Sequence, residues 1–221
     1  MLHDDLRTTA EPTLRTVQEH PFWCGLRDGT LPPEALLSFV EQDTGHLLPQ
    51  YARALSRCAA AAGRDSHVSL LARATTGTLE ARDRLRTNFA ALAGELGTPS
   101  YDPTRTVPRS AATAAHTDFF AAASGRSLAA GVGALLPMVL FNMYVSADLV
   151  ARLRPGSRYA GWIDRYQPGE RYQYAVTGFE VLADEVAADG GPAATAELTE
   201  SFRAGVQHER AFADAAWNRH A

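Results

Sequence analysis

Apolar residues recur three and four positions apart along almost the whole chain, and no run of β-branched residues alternates with polar ones between turn signals. Such a pattern leaves each segment with one apolar stripe, which is buried only by packing helix on helix. The fold class is therefore all-α, an antiparallel helical bundle. With 221 residues, 46% of them hydrophobic and 21% charged, the chain has material for one core, and a single domain over 1–221 is expected.

The punctuation divides this pattern. A first helix is expected over 6–19, with Pro12 as its candidate break, followed by a short aromatic turn, HPFWCGLRDGTL, closed by Gly29. Pro33 suits a first helical position, and the pattern from it runs to Gly63. Further helices are expected over 65–93, 110–123 and 127–153, then a short piece over 158–166, then helices over 170–188 and 193–217. Pro99, Pro103 and Pro108 make 95–109 a connecting loop. Pro49 and Pro137 fall inside helical patterns, where each leaves the carbonyl four residues earlier, at Gly45 and Gly133, without its donor, so each should mark a kink. The most apolar stretch, 129–141, is too short to cross a bilayer and reads as a buried helix.

Charge and composition exclude several classes of function. A net charge of -4 with a pI near 6.0 gives no basic footprint for nucleic acid. All 21 basic residues are Arg, so neither a Schiff-base lysine nor a P-loop lysine is available. Cys24 and Cys58 are the two cysteines, and the N-terminal residues lack the charged-then-apolar pattern of a secretory signal. A cytoplasmic protein with reduced thiols and no membrane association is expected.

In a bundle, ligand sites form between facing helices, so polar residues on apolar stripes are the candidates. Asp43 shares its side of the helix with Leu36, Val40 and Leu47, and Glu209 shares its own with Phe202, Val206, Phe212 and Ala216. A carboxylate so placed is either paired with a Tyr, an Arg or a helix end, or kept for chemistry. Opposed across a pocket, two such acids could divide acid and base roles or hold a cationic substrate. His46, three residues after Asp43, has spacing for a metal ligand or proton relay, though a lone core-side histidine is more often hydrogen-bonded structure. His208 adjoins Glu209 but points in another direction. Glu80, among Thr76, Asp83, Arg84 and Thr87, reads as part of a solvated face, and Tyr159, Trp162 and Tyr166 form an aromatic set.

The succession HPFWCGLRDGTLPPEAL, EQD, ALLPM, YAGWIDRY and HERAF, in that order and at these separations, resembles the TenA family, which includes thiaminase II, the aminopyrimidine aminohydrolases. The resemblance spans essentially the whole chain. It implies a heme-oxygenase-like helical bundle, a homo-oligomer (a tetramer or dimer), a small-molecule substrate and no metal or organic cofactor. It also implies that the family's old regulatory name carries no DNA binding. Asp43 matches the family's pyrimidine-binding Asp, Tyr166 the Tyr of its WI-x-x-Y element, Glu209 its C-terminal catalytic Glu, and Phe212 the Phe that follows. The family's Pro-Cys is Pro137-Met138, so the nucleophile is an inert thioether here. Two clamp tyrosines are His46 and Asn142, and the Glu-x-x-x-His element is Glu80 and Arg84.

A branch of the family lacking that Cys is thought to use a glutamate on aminopyrimidine amides. The first expectation is thus a TenA-like enzyme hydrolysing a C–N bond in an aminopyrimidine or related N-heterocycle, in thiamin salvage or specialised metabolism. Asp43, Tyr166 and Glu209 would be catalytic, with His46, Glu80, Met138, Phe141, Asn142 and Phe212 lining the substrate site. A second reading is an iron-dependent oxidase or oxygenase liganded by Asp43, His46, Glu80 and Glu209. A third is a non-catalytic binding protein or partner subunit, with Met138 filling the vacated cavity.

Overall fold

The computed structural model describes residues 1–99, 102, 107–169 and 171–218. Among the described residues, nine helices and one π-turn make up the regular structure: α1 (Leu2–Gln18), α2 (Pro21–Asp28), α3 (Pro33–Gln42), the π-turn Asp43–Leu47, α4 (Leu48–Ala61), α5 (Asp65–Leu96), α6 (Ala111–Arg126), α7 (Leu128–Ala151), α8 (Ala160–Tyr166) and α9 (Arg171–Asn218). Among the described residues there is no strand, as the helical periodicity requires. The expected helix start at Glu170, and Pro103 of the connecting loop, lie outside the described residues.

Local chemistry sets the boundaries. Pro12 lies inside α1 without dividing it. The aromatic segment after His20 is a two-turn helix rather than a turn. Pro21 occupies its first turn, His20 Nδ1 accepts from the Phe22 N–H, and Gly29 ends it in the left-handed region at φ 78°. The Gly29 site also faces the Ser157 backbone at 3.1 Å, so a side chain is excluded there twice over. α9 breaks at Gly191, whose φ of 68° and ψ of -159° are non-helical, and Pro192 then restarts the helix. Its two arms, before and after Gly191, behave differently.

At Pro49, the site of the expected kink, the helix holds a π-turn. The Leu48 N–H reaches back five residues to the Asp43 carbonyl, and the extra residue in that turn places Pro49 in the first turn of α4, where its missing N–H costs nothing. In this register the carbonyl that loses its donor is that of Thr44, five before the proline, and not that of Gly45. The Arg86 guanidinium on α5 supplies the bond at 2.8 Å, with a second to Thr44 Oγ1 at 3.2 Å.

The core is built around α7, most of whose residues between Ala129 and Phe141 are buried. The apolar stretch is longer than expected. By length and composition Leu128–Ala151 could cross a membrane, but 72% of its most apolar window is buried inside the bundle. The second arm of α9 lies against α7 with little space between backbones. A Cβ at Gly133 would meet the Leu198 carbonyl oxygen at 2.2 Å, and one at Gly205 would meet Pro137 Cγ at 2.8 Å. That close approach carries Glu209, one turn beyond Gly205, into the interior beside α7.

Candidate active site

Asp43 heads the π-turn, is 6% exposed, and its carboxyl makes no hydrogen bond among the described residues. Burial pushes its carboxyl up to about 7. Glu209 comes from the second arm of α9. Its Oε1 is buried without a partner, and burial together with the Asp43 charge pushes it up to about 8. The two acids are therefore neighbours, and below neutrality each is held largely as the neutral acid by lack of solvent.

Three phenols surround them. Tyr166 of α8 stacks on Trp162 at 4.6 Å, and its oxygen accepts from Asn142 Nδ2 at 3.3 Å, which leaves the phenolic proton to be donated. Burial and the charges of Asp43 and Glu209 hold that proton on well above the usual tyrosine range. Tyr51 of α4 and Tyr172 of α9 donate to the carbonyls of Leu135 and Val139, on either side of Pro137, at 3.1 and 3.3 Å. Burial raises the pKa of both, with a smaller contribution from the Glu209 charge, which places them near the same carboxyl. An aromatic wall completes the cluster: Trp23, Phe39, Trp162 and Phe212 pack with ring centroids 5.5 to 6.4 Å from Phe39, and the indole N–H groups of Trp23 and Trp162 are buried without acceptors.

The structure thus brings together Asp43, Tyr166, Asn142, Glu209 and Phe212. Met138 and Phe141 pack in and against the core on α7, Met138 partly buried and Phe141 buried. His46 and Glu80 do not join the cluster. In a π-turn each residue rotates by roughly 80° rather than 100°, so the three-residue spacing no longer puts His46 on the Asp43 face. Its Nε2 instead donates to the Val107 carbonyl at 2.7 Å, and Gln42 ties the same segment through Pro108 and Ser110. Glu80 lies exposed on α5, as the solvated-face reading expected. The four residues of the iron reading therefore do not converge, and among the described residues no group of three or more His, Cys, Asp or Glu could hold a metal ion.

Sequence reading missed Tyr51, Tyr172, Trp23 and His116. His116 on α6 is 1% exposed and sits 3.7 Å from Glu209 Oε1 through Nε2. A stripe test would have found it, because Phe120 and Ala123 follow it at four and seven residues. A shallow groove of about 760 Å³ beside Gly191 and Pro192, lined by Met1, Leu2 and Asp184, contains none of these residues.

A family model described as the TENA/THI-4/PQQC family matches residues 7–219. The Thiamine biosynthesis multifunctional protein ThiED of Corynebacterium efficiens is 28% identical over 214 residues, covering 93% of this chain but 27% of that protein. The chain thus spans about a quarter of the length of that curated relative. Among solved structures, the TenA homologue protein from P. horikoshii OT3 has a TM-score of 0.81 at 25% identity, covering 99% of both chains. A TenA homologue from Pyrococcus furiosus has the same fold, with a TM-score of 0.82 at 17% identity over 98% of this chain and 100% of the other.

Proposed function

The chain belongs to the TENA/THI-4/PQQC family, and from that premise we propose that it is a TenA-type small-molecule enzyme that hydrolyses a C–N bond in an aminopyrimidine or related N-heterocycle. The observation that carries this reading is the pair of neighbouring buried carboxyls, Asp43 and Glu209, both raised toward neutrality and neither neutralised by a cation. Acids tuned in this way hold and release protons at the pH where an enzyme works.

In this reaction a water oxygen forms a bond to the carbon that bears the leaving nitrogen, the C–N bond breaks, and the nitrogen departs with a proton. Glu209, protonated at rest, donates that proton and then recovers one from the attacking water, so acid and base are the same residue at two stages. Asp43 accepts from ring or amino N–H groups of the substrate, and those donors draw it to its ionised form. The Tyr166 hydroxyl and the unpartnered indole N–H groups supply donors to ring nitrogens or to a developing oxyanion. With Met138 at the family's Cys position, no covalent intermediate is formed there.

Incubation with aminopyrimidine amides and with thiamin, following release of the amine or thiazole, tests the reading. Wild type is expected to turn over one of them, and Glu209→Gln, folded, is not. Retained activity in that variant removes Glu209 as the acid or base. Saturable binding without turnover by wild type supports instead the non-catalytic binding reading.

A further inference from the structure

His116 is a buried titratable residue beside Glu209 to which the proposed hydrolysis gives no role. Its ring lies between Phe120, at 4.3 Å, and His208, stacked at 5.0 Å, and neither ring nitrogen has a hydrogen-bond partner. Leaving a buried imidazole unsatisfied is destabilising, and a Phe would fill the same space without that cost. Glu209 Oε1 is unsatisfied too, and it lies 3.7 Å from His116 Nε2. That separation is about half an ångström too long for a hydrogen bond, and the Glu209 carboxyl has no hydrogen bond among the described residues that would resist a movement to close it.

We propose that His116 is the positioning residue of Glu209, a neutral ring whose tautomer follows the carboxyl's proton. When Glu209 is the neutral acid, its O–H donates to the lone pair on Nε2 and the ring proton sits on Nδ1. When Glu209 is ionised, the ring proton sits on Nε2 and donates to the carboxylate. Passing from the first state to the second releases one proton to solvent and leaves the ring uncharged in both. One side chain thereby orients the carboxyl in each of the two states an acid–base residue must visit.

The surroundings favour a neutral ring. Burial, with the nearby His208, pulls His116 down to about 3, so an imidazolium is disfavoured. The other titratable groups facing Glu209 are Asp43 from the π-turn, Tyr51 from α4, Tyr166 from α8 and Tyr172 from α9, with His208 beside it on its own helix. The phenols stay protonated through neutrality, which leaves Asp43 as the second carboxyl titrating beside Glu209.

The part in turnover rests on the proposed hydrolysis, whereas the coupling of tautomer to carboxyl does not, so its test uses ligand-free full-length protein. Long-range proton–nitrogen spectra of histidine-labelled protein report the His116 tautomer. The carbon shift of the Glu209 carboxyl, assigned by its loss in Glu209→Gln, reports ionisation. Between pH 5 and 9 the proton is expected to move from Nδ1 to Nε2 in step with the Glu209 titration. In His116→Phe the Glu209 midpoint is expected to rise by about one pH unit or more, and in His116→Gln, which can both donate and accept, to return toward wild type. A single tautomer throughout, a ring that becomes charged, a Glu209 that does not titrate in this window, or an unchanged midpoint in folded His116→Phe overturns the proposal. If His116→Phe fails to fold, the wild-type spectra decide alone. Failure of the hydrolytic reading would appear as absent turnover and would leave these spectra as they are.

Discussion

The two arms of α9 each carry a largely buried glutamate, Glu180 and Glu209, and hold it in opposite ways, while the more exposed Glu197 and Asp214 of the second arm are paired with Arg126 and His20. On the first arm Glu180 is gripped at both oxygens by Arg7, at 2.5 and 2.6 Å. Asp184 and Glu185 pair with His3 and His67, each at 2.6 Å, and Asp189 pairs with Arg64 at 2.5 Å. These acids fasten α1 and α5 to the bundle. On the second arm Glu209 is largely buried, its side chain 13% exposed, with a neutral histidine 3.7 Å away and another carboxyl for a neighbour. The same helix and the same residue type serve as fastener where a cation is supplied and as proton store where it is withheld.

Substitutions sharpen that contrast. The largest effect is expected for Glu209→Gln, a loss of about 10²–10⁴-fold in kcat on whichever substrate wild type turns over, with the fold retained on circular dichroism. Next, Glu180→Gln leaves Arg7 without its bidentate partner. Because Arg7 is half exposed and can rehydrate, the cost is about 1–3 kcal/mol in denaturant unfolding, with no effect on proton transfer. A Glu180→Gln variant that is as stable as wild type would break the distinction between the arms.

The pH dependence of stability separates the arms further. Asp43 and Glu209 are raised on folding, so between their unfolded values near 4 and their folded values near 7 and 8 the native state binds more protons than the unfolded chain. Their contribution to unfolding free energy therefore falls as pH rises from about 4 to about 8, opposed below about 6.5 by His116, His20 and His208, which burial pulls down; Asp43→Asn with Glu209→Gln should remove the falling contribution in thermal melts at fixed ionic strength. A slope unchanged in the double variant would mean that the carboxyls are not held neutral by burial. The smallest effect is expected for Glu80→Gln, which should leave both activity and melting temperature unchanged, since Glu80 faces solvent on α5. A kinetic defect in that variant would bring α5 into the site.

How much of this was legible in the sequence depends on how regular the backbone is. Asp43 and Glu209 could be found because a polar residue amid Leu36, Val40 and Leu47, or amid Phe202, Val206 and Phe212, conflicts with its stripe. His46 was misplaced because Asp43–Leu47 forms a π-turn, which shifts the angular register between positions 43 and 46 while leaving their spacing in sequence unchanged. Tyr51 and Tyr172 escaped because their role depends on carbonyls of α7 distant in sequence. His116 carried a stripe signal, with Phe120 and Ala123 at four and seven residues after it, but its relation to Glu209 depends on the packing of α6 against α9. The helical architecture itself followed from periodicity, whereas the helix at Pro21–Asp28 needed the capping geometry of His20 and Gly29 to be distinguished from a turn.

The central claim is that the unpaired acids of the second arm and the π-turn form a site for an aminopyrimidine. Calorimetric titration of wild type and Asp43→Asn with the aminopyrimidine product of thiamin breakdown tests it most directly. Saturable 1:1 binding to wild type, weakened at least tenfold in a folded Asp43→Asn, is the expected result. Binding of equal strength in both proteins, or none to wild type, would contradict it.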